Sequence, residues 1–318
     1  MSRVALLGAT GTIGRATAQA LVDAGHDVVA IVRREPAVPL PGVTLRRADP
    51  ADPISLMHDG FAGEHFDAVV SCMASRTGLP KEAWAIDHKA HRHALALAER
   101  CGAPHFVLLS AICVQKPRLA FQQAKLAFEA ELIASGLRYS IVRPTAFFKS
   151  LSGQIERVRS GRPYLLFGEG ALTACKPISN RDLAAYITGC LTDPQHWNKV
   201  LPIGGPGPAI TPRDQGEALF AMTGLPPKFR SVPPGFLGGI AGALGFAARL
   251  VPPLATKAEL ARIGHYYATE SMLALDPQTG QYSAALTPET GRDTLFDHYR
   301  AVLSGEAAPD DRGDHAVF

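Results

Sequence analysis

Gly8-Ala9-Thr10-Gly11-Thr12-Ile13-Gly14 follows the apolar run Val4-Ala5-Leu6-Leu7 and leads into Ala16 to Ala24, so a strand, a glycine turn and a helix are implied in that order. Glycine has no Cβ to block a ligand, and such a turn brings backbone N–H groups and the positive end of a helix close to a pyrophosphate. The spacing is G-x-x-G-x-x-G rather than G-x-G-x-x-G, and the flanking strand and helix supply the context that a glycine pattern alone lacks. The stretch predicts a dinucleotide site formed by Gly8, Thr10, Gly11, Thr12, Ile13 and Gly14. A tight strand-to-helix turn without a ligand is the plain alternative.

Asp27 to Val32 (DVVAIV) reads as a second buried strand at the distance a βαβ unit requires, and it ends on Arg33-Arg34. An acidic side chain at this strand end suits a free ribose 2′-hydroxyl, whereas a cation attracts a 2′-phosphate. Arg33 and Arg34 therefore favour NADP(H) over NAD(H), against the bland reading of two solvated arginines. A proline-rich loop over 36–41 precedes a short strand at Val43 to Arg46. Asp49 is expected as a helix cap, with an adenine contact as the alternative.

Phe66 to Cys72 (FDAVVSC) has strand length, and Met73 to Gly78 loops towards the expected cofactor face. The helix expected over Lys81 to Arg100 carries His88, His91 and His93, which lack a carboxylate or cysteine at metal-ligand spacing and are expected at solvated positions. A strand at His105 to Ser110, a helix over Leu119 to Ser135 and a strand at Tyr139 to Val142 ending on Arg143-Pro144 continue the alternation. The pattern predicts an α/β fold, a Rossmann-type doubly wound parallel sheet whose strand ends form one ligand edge.

Beyond Thr145 the alternation weakens: strand-like Tyr164 to Phe167, the segment Cys175 to Ser179, a helix over Asp182 to Leu191, a strand near Val200 to Ile203, and a helix over Thr211 to Thr223 with Thr211 as N-cap and Pro212 next. The organisation expected is an NADP(H)-binding core over 1–145, a smaller substrate-binding region over 146–300 that completes the sheet and covers the site, and a polar, flexible tail over 301–318. Phe236 to Val251 (FLGGIAGALGFAARLV) falls short of the roughly 20 residues that span a bilayer and carries Arg249. Core, a cover over an apolar ligand and a membrane-surface contact are its three readings, core foremost.

The 318 residues, 47% hydrophobic, suit a globular protein with an ample core, and a net charge of +3 calls for no nucleic-acid partner. Cys72, Cys101, Cys113, Cys175 and Cys190 are odd in number and include no C-x-x-C pair, which argues against disulfides and zinc; no metal site is expected. An N-terminus that enters a strand at once leaves no room for a signal sequence, so a cytoplasmic location is expected.

Many short-chain dehydrogenases carry Tyr-x-x-x-Lys after the fifth strand, the tyrosine protonating a carbonyl oxygen. The aligned stretch here is Phe121-Gln122-Gln123-Ala124-Lys125, which keeps the lysine and lacks the phenol. Phenylalanine exchanges no proton, so alcohol–ketone chemistry by that route is disfavoured. Lys125 and Glu129 form K-x-x-x-E, as in atypical members of that superfamily, and a surface ion pair one turn apart is the alternative.

Ser110-Ala111-Ile112-Cys113-Val114-Gln115-Lys116-Pro117, Phe121 to Lys125, and the distant Tyr267-Ala268-Thr269-Glu270-Ser271-Met272-Leu273 with Asp276-Pro277 resemble the NADPH-dependent divinyl (proto)chlorophyllide 8-vinyl reductases of (bacterio)chlorophyll synthesis, from Val4 to about His298. The resemblance implies an oxidoreductase that reduces a C=C bond, the C8 vinyl group of a magnesium tetrapyrrole, with NADPH as hydride donor. It assigns Lys125 to ribose positioning and electrostatic support, and it gives no proton donor among Lys116, Tyr266, Tyr267, Glu270 and water. Phe121, Phe147 and Phe148 are expected against the flat pigment, two adjacent phenylalanines being equally at home in a core. Attachment at the periphery of photosynthetic membranes is compatible. The rival function is a non-catalytic NADP(H)-binding redox sensor or assembly factor for a membrane complex.

Overall fold

The computed structural model describes residues 1–248, 251 and 254–308. The strands among the described residues are β1 (Arg3–Leu7), β2 (Asp27–Val32), β3 (Val43–Arg47), β4 (Ala68–Ser71), β5 (His105–Leu109), β6 (Arg138–Pro144), β7 (Tyr164–Phe167), β8 (Lys199–Ile203), β9 (Phe229–Val232) and the short antiparallel pair β10 (Ala274–Leu275) and β11 (Tyr282–Ser283). Seven of them form one parallel sheet in the order β3-β2-β1-β4-β5-β6-β8. Helices on both faces bury the inner strands, which is why β1, β2 and β4 are unbroken apolar runs instead of alternating ones. Val4, Ala5, Leu6 and Leu7 are fully buried.

The strand order reverses between β1 and β4, the place where a doubly wound sheet opens a crevice at its carboxyl edge. Leu7 pairs with Ile31 on one side and Ser71 on the other, Ser71 pairs with Leu108, and Leu109 pairs with Val142. Gly8, Arg33, Cys72 and Ser110 consequently leave the sheet along one edge.

Contacts divide the chain into two compact units. The first is Met1–Pro144 together with Asn180–Ile203; the second is Thr145–Ser179 together with the chain from Gly204 on. The boundary expected at residue 145 thus ends the first segment only, because the helix Asn180–Gly189 packs on Thr12–Asp23 and β8 pairs with β6. Phe61, Phe66, Phe106, Phe128 and Ile141 belong to the core of the first unit. The second unit pairs β7 with β9 and gathers Phe148, Tyr164, Leu219, Phe220 and Tyr299 into a core of its own. Its helix Pro212–Thr223 has Thr211 as N-cap, reciprocally bonded with Asp214. Cys175 to Ser179 forms isolated bridges and no strand, Cys175 pairing with Ile210 and with Met272.

One expectation is overturned. The 236–251 stretch is not core: it forms the helix Gly235–Ala247, in which Ala241 alone is buried, and residues 249 and 250 lie outside the described residues. Gly238, Ala241 and Gly245 lie on its inner side together with half-buried Leu237 and Leu244, and Phe236 and Phe246 stay outside. The tail expected over 301–318 begins inside the helix Leu295–Ser304, and 309–318 lie outside the described residues.

The three histidines are not all solvated either. The helical stretch over 80–100 widens into a π-helical segment at Trp84–Ala90 and turns His91 inward, to 1% exposure. Ile86 O only accepts, so His91 Nδ1 donates to it at 2.9 Å and Nε2 accepts from Ser71 Oγ, also at 2.9 Å. The imidazole is neutral. Burial and the nearby Lys125 cation push its pKa down to about 4, and burial does the same for His105.

A folded pKa below the unfolded one means that the unfolded chain takes up the proton first as pH falls, so this stability is present above about 6.5 and is lost towards 4. Denaturant titrations at pH 7 and pH 5 should show a loss of about 2 kcal/mol for each of the two histidines. NMR should find both imidazoles still neutral at pH 5; protonated rings at that pH, or equal stability at the two, would contradict the burial argument.

Candidate active site

Each glycine of the turn has a separate physical reason. Gly8 adopts φ +79°, and a Cβ on it would stand 2.6 Å from Cys72 C and from Met73 N, so β1 and the chain leaving β4 close together only because it is glycine. A Cβ on Gly14 would stand 2.0 Å from Gly8 O, so the helix seats directly on the end of β1. Gly11 is different. It has extended backbone (φ −74°, ψ 166°), and a Cβ there would meet only Gly8 O at an ordinary 3.5 Å.

No contact among the described residues requires a glycine at 11, and the bare backbone there leaves room for a ligand to approach. Gly11 is also the N-cap of Thr12–Asp23, with no side-chain cap and no acidic residue in the first turn. The first-turn N–H groups lack intrahelical partners and carry the positive end of the helix dipole, a fitting seat for a pyrophosphate. Thr10, Gly11 and Thr12 are exposed, while Ile13 and Gly14 are buried beneath them.

Arg33 and Arg34 are both exposed just past the end of β2. Arg46, by contrast, is committed to the fold through Glu64 Oε1 at 2.6 Å and the carbonyls of Gly60 and Phe61. Asp49 accepts from Ala51 N at 3.0 Å, and the cap of the following turn is Asp52.

Lys125 is buried in the helix Ala120–Ala134, and its Nζ lies 3.0 Å from Asp87 Oδ1, a carboxylate with no exposed side-chain surface. Asp87 also accepts from Ser75 Oγ at 2.5 Å and from Ser75 N at 3.2 Å. A buried ammonium with a buried, hydrogen-bonded counterion is held at one position. The π-helical segment positions this carboxylate, such segments being frequent at functional sites.

Glu129 is not the partner of Lys125, and the surface-pair alternative does not hold. Buried to 2% exposure, Glu129 is bound to Arg143 through Nη2, with Nε at 3.3 Å, and accepts from Ser110 Oγ. The K-x-x-x-E pattern thus divides between two buried ion pairs. Gln122 ties the helix to the loop before it: Oε1 accepts from Arg118 N and Leu119 N, and Nε2 donates to Cys113 O at 3.0 Å. Phe121 lies beside it with 9% of its surface exposed, and Lys116 is half-buried.

In the second unit, Phe148 is core, its ring centroid 5.5 Å from His298, whereas Phe147 is half-buried and its backbone bridges to Ile178. Tyr266 is buried, Tyr267 is 43% exposed, and Glu270 accepts from Tyr282 Oη at 2.8 Å. The Tyr267 to Leu273 stretch is also structural: Ser271 Oγ accepts from Ala174 N, and Met272 N donates to Ala174 O.

An NAD(P)H-binding family model matches residues 8–194, more than half of the chain. The chloroplastic divinyl chlorophyllide a 8-vinyl-reductase of Cucumis sativus is 47% identical over 100% of this chain and 80% of its own length, and that of Zea mays 46% over 99% and 82%. The chain belongs to this reductase family. Its fold is shared with the NADPH complex of the quinone oxidoreductase QOR2 of Escherichia coli, at a TM-score of 0.65 and 18% identity over 94% of this chain and 99% of that one. Residues 8–194 accordingly form an NAD(P)H-binding region that begins at the Gly8 to Gly14 turn.

Asp87, Ser75 and Arg143 are the residues that motif reading missed. One signal was available: Ala83, Asp87, Ala90 and Ala94 recur at helical spacing, and a carboxylate inside a stripe of buried alanines needs a cation.

Gly14→Ala should cost several kcal/mol of stability, because backbone has to move by more than an ångström. Gly11→Ala should stay within about 1 kcal/mol in a thermal melt and yet weaken NADPH binding at least tenfold by fluorescence titration. Unimpaired binding in Gly11→Ala would remove that position from the phosphate contact.

Proposed function

We propose that this protein reduces the C8 vinyl group of divinyl chlorophyllide a, or of the corresponding protochlorophyllide, to ethyl, as an NADPH-dependent oxidoreductase of (bacterio)chlorophyll synthesis. The single observation that carries the reading is near-full-length identity of 45–47% to chloroplastic 8-vinyl reductases. The residues of the first unit fit the chemistry. We place the enzyme in the cytoplasm, at the periphery of photosynthetic membranes.

NADPH, when bound, supplies the hydride. A vinyl group conjugated to a macrocycle accepts it at the terminal carbon, the negative charge spreads into the ring, and a proton then adds at the inner carbon. No oxyanion forms, so the phenol absent at Phe121 has no carbonyl oxygen to protonate. The Gly8 to Gly14 turn holds the pyrophosphate, and Arg33 and Arg34 hold the 2′-phosphate.

Lys125, fixed by Asp87, orients the nicotinamide ribose and offsets the delocalised charge. Phe121, in the first unit, presents aromatic surface to the pigment. Asp87 and Ser75 act on Lys125 alone, as positioning residues.

Incubation with NADPH and divinyl chlorophyllide or protochlorophyllide should give the small blue shift of the Soret band; cofactor binding without that shift would favour a redox sensor or assembly factor. Arg33→Ala with Arg34→Ala should raise KM for NADPH by 10-fold or more and leave KM for NADH nearly unchanged, the loss of charge-assisted bonds to a phosphate. Lys125→Met should lower kcat/KM on the order of 100-fold. Unchanged turnover would take Lys125 out of the site.

A further inference from the structure

The helix Gly235–Ala247 (GFLGGIAGALGFA) contains no charged or hydrogen-bonding side chain, and yet only Ala241 in it is buried. It lies against the helix Leu254–Thr269 through small residues: a Cβ on Gly238 would stand 3.3 Å from the His265 ring, and one on Gly245 3.0 Å from Arg262 Nη2. Gly238, Ala241 and Gly245 follow i, i+3, i+7 and mark the packed face. Phe236, Gly239, Ala243 and Phe246 follow the same spacing on the other side, and all four are exposed. Phe236 is 56% exposed and Phe246 69%. Thirteen residues give this apolar stripe a length of about 20 Å, too short to span a bilayer and long enough to lie on one.

The charge around the stripe is one-sided. Residues 224–269 hold five cations, Lys228, Arg230, Arg249, Lys257 and Arg262, and one anion, Glu259. The net is +4, in a chain whose total is +3, so everything outside this stretch sums to −1. Glu259 is itself buried to 7% exposure and paired with Arg262 at 2.9 Å. Lys228, Arg230, Lys257 and Arg262 are exposed. An exposed apolar stripe in a cationic stretch of chain is complementary to a lipid surface in two ways: rings enter the acyl boundary, and ammonium and guanidinium groups remain among anionic headgroups. A second copy fits poorly, since a two-fold contact through this face would set the same cations against each other.

We propose that the face bearing Phe236 and Phe246 docks on the surface of an anionic lipid bilayer, with Lys228, Arg230 and Lys257 reading the headgroups. The docking is independent of the reductase reading, since none of these residues belongs to the cofactor turn or to the Lys125 cluster.

The test is co-sedimentation of the full chain with vesicles of phosphatidylcholine, with and without about one-third phosphatidylglycerol. Binding should require the anionic lipid and weaken as salt is raised. Phe236→Ser with Phe246→Ser should reduce partitioning 10-fold or more, and Lys228→Gln, Arg230→Gln and Lys257→Gln together should abolish the preference for anionic lipid. Thermal midpoint and NADPH affinity should stay as in the unaltered protein, which separates lost docking from lost folding.

Four results would overturn the proposal. The unaltered protein binds neither vesicle, or the serine variant binds as before. The serine variant changes only the sedimentation velocity of the protein without lipid, which would make the face a self-association surface. Or it raises KM for the pigment while vesicle binding is untouched, which would make the helix a cover over substrate.

Discussion

A Cβ on Gly14 would sit 2.0 Å from Gly8 O, and this absence of space is the constraint from which the cofactor side of the molecule follows. It sets the first turn of the helix directly on the end of β1 and aims the helix N–H groups along the carboxyl edge of the sheet. The same closeness recurs sideways, where Gly8 has room only for backbone beside Cys72 and Met73. Two glycines are thus consumed by packing, and Gly11 is not. The distinction is energetic: at 8 and 14 a side chain displaces backbone, whereas at 11 it displaces only what comes to bind.

The second organising feature is electrostatic. Lys125 with Asp87 and Arg143 with Glu129 place two ion pairs in the first unit, each with a carboxylate almost fully withdrawn from water. Such pairs are poor sources of net stability, because desolvation offsets most of the attraction, but breaking one strands a buried charge at a cost of about 3–5 kcal/mol. They therefore specify geometry. The Asp87 pair fixes one cation where an ordinary surface lysine would sample many rotamers. The other pair joins the end of β6 to the helix that carries Lys125, with Ser110 as a third member.

The two units use apolar residues in opposite ways. The first spends its aromatic and branched side chains on a core between sheet and helices. The second has a core as well, around Tyr164, Phe220 and Tyr299, but turns the phenylalanines of Gly235–Ala247 outward. Composition alone suggests burial for such a stretch, and glycine is the reason it is not buried. Gly238, Ala241 and Gly245 pack closely with little volume, half-buried Leu237 and Leu244 fill the space beside them, and Phe236 and Phe246 face outward.

The periodicity of the sequence determined the parallel sheet, because strands buried on both faces have to be continuous apolar runs and the helices between them have to be amphipathic. Its local chemistry determined the dinucleotide turn and the cationic end of β2. It also showed Phe121 beside Lys125, since a missing functional group is visible without coordinates. What pairs with what was decided only by tertiary structure. Asp87 lies 38 positions before Lys125, whereas Glu129, the apparent partner one turn away, turns to Arg143. His91 looked like a solvated helix position until the π-helical segment rotated it inward. Periodicity describes one element at a time; the partner of a buried charge and the burial of a helix face depend on which element lies across from it.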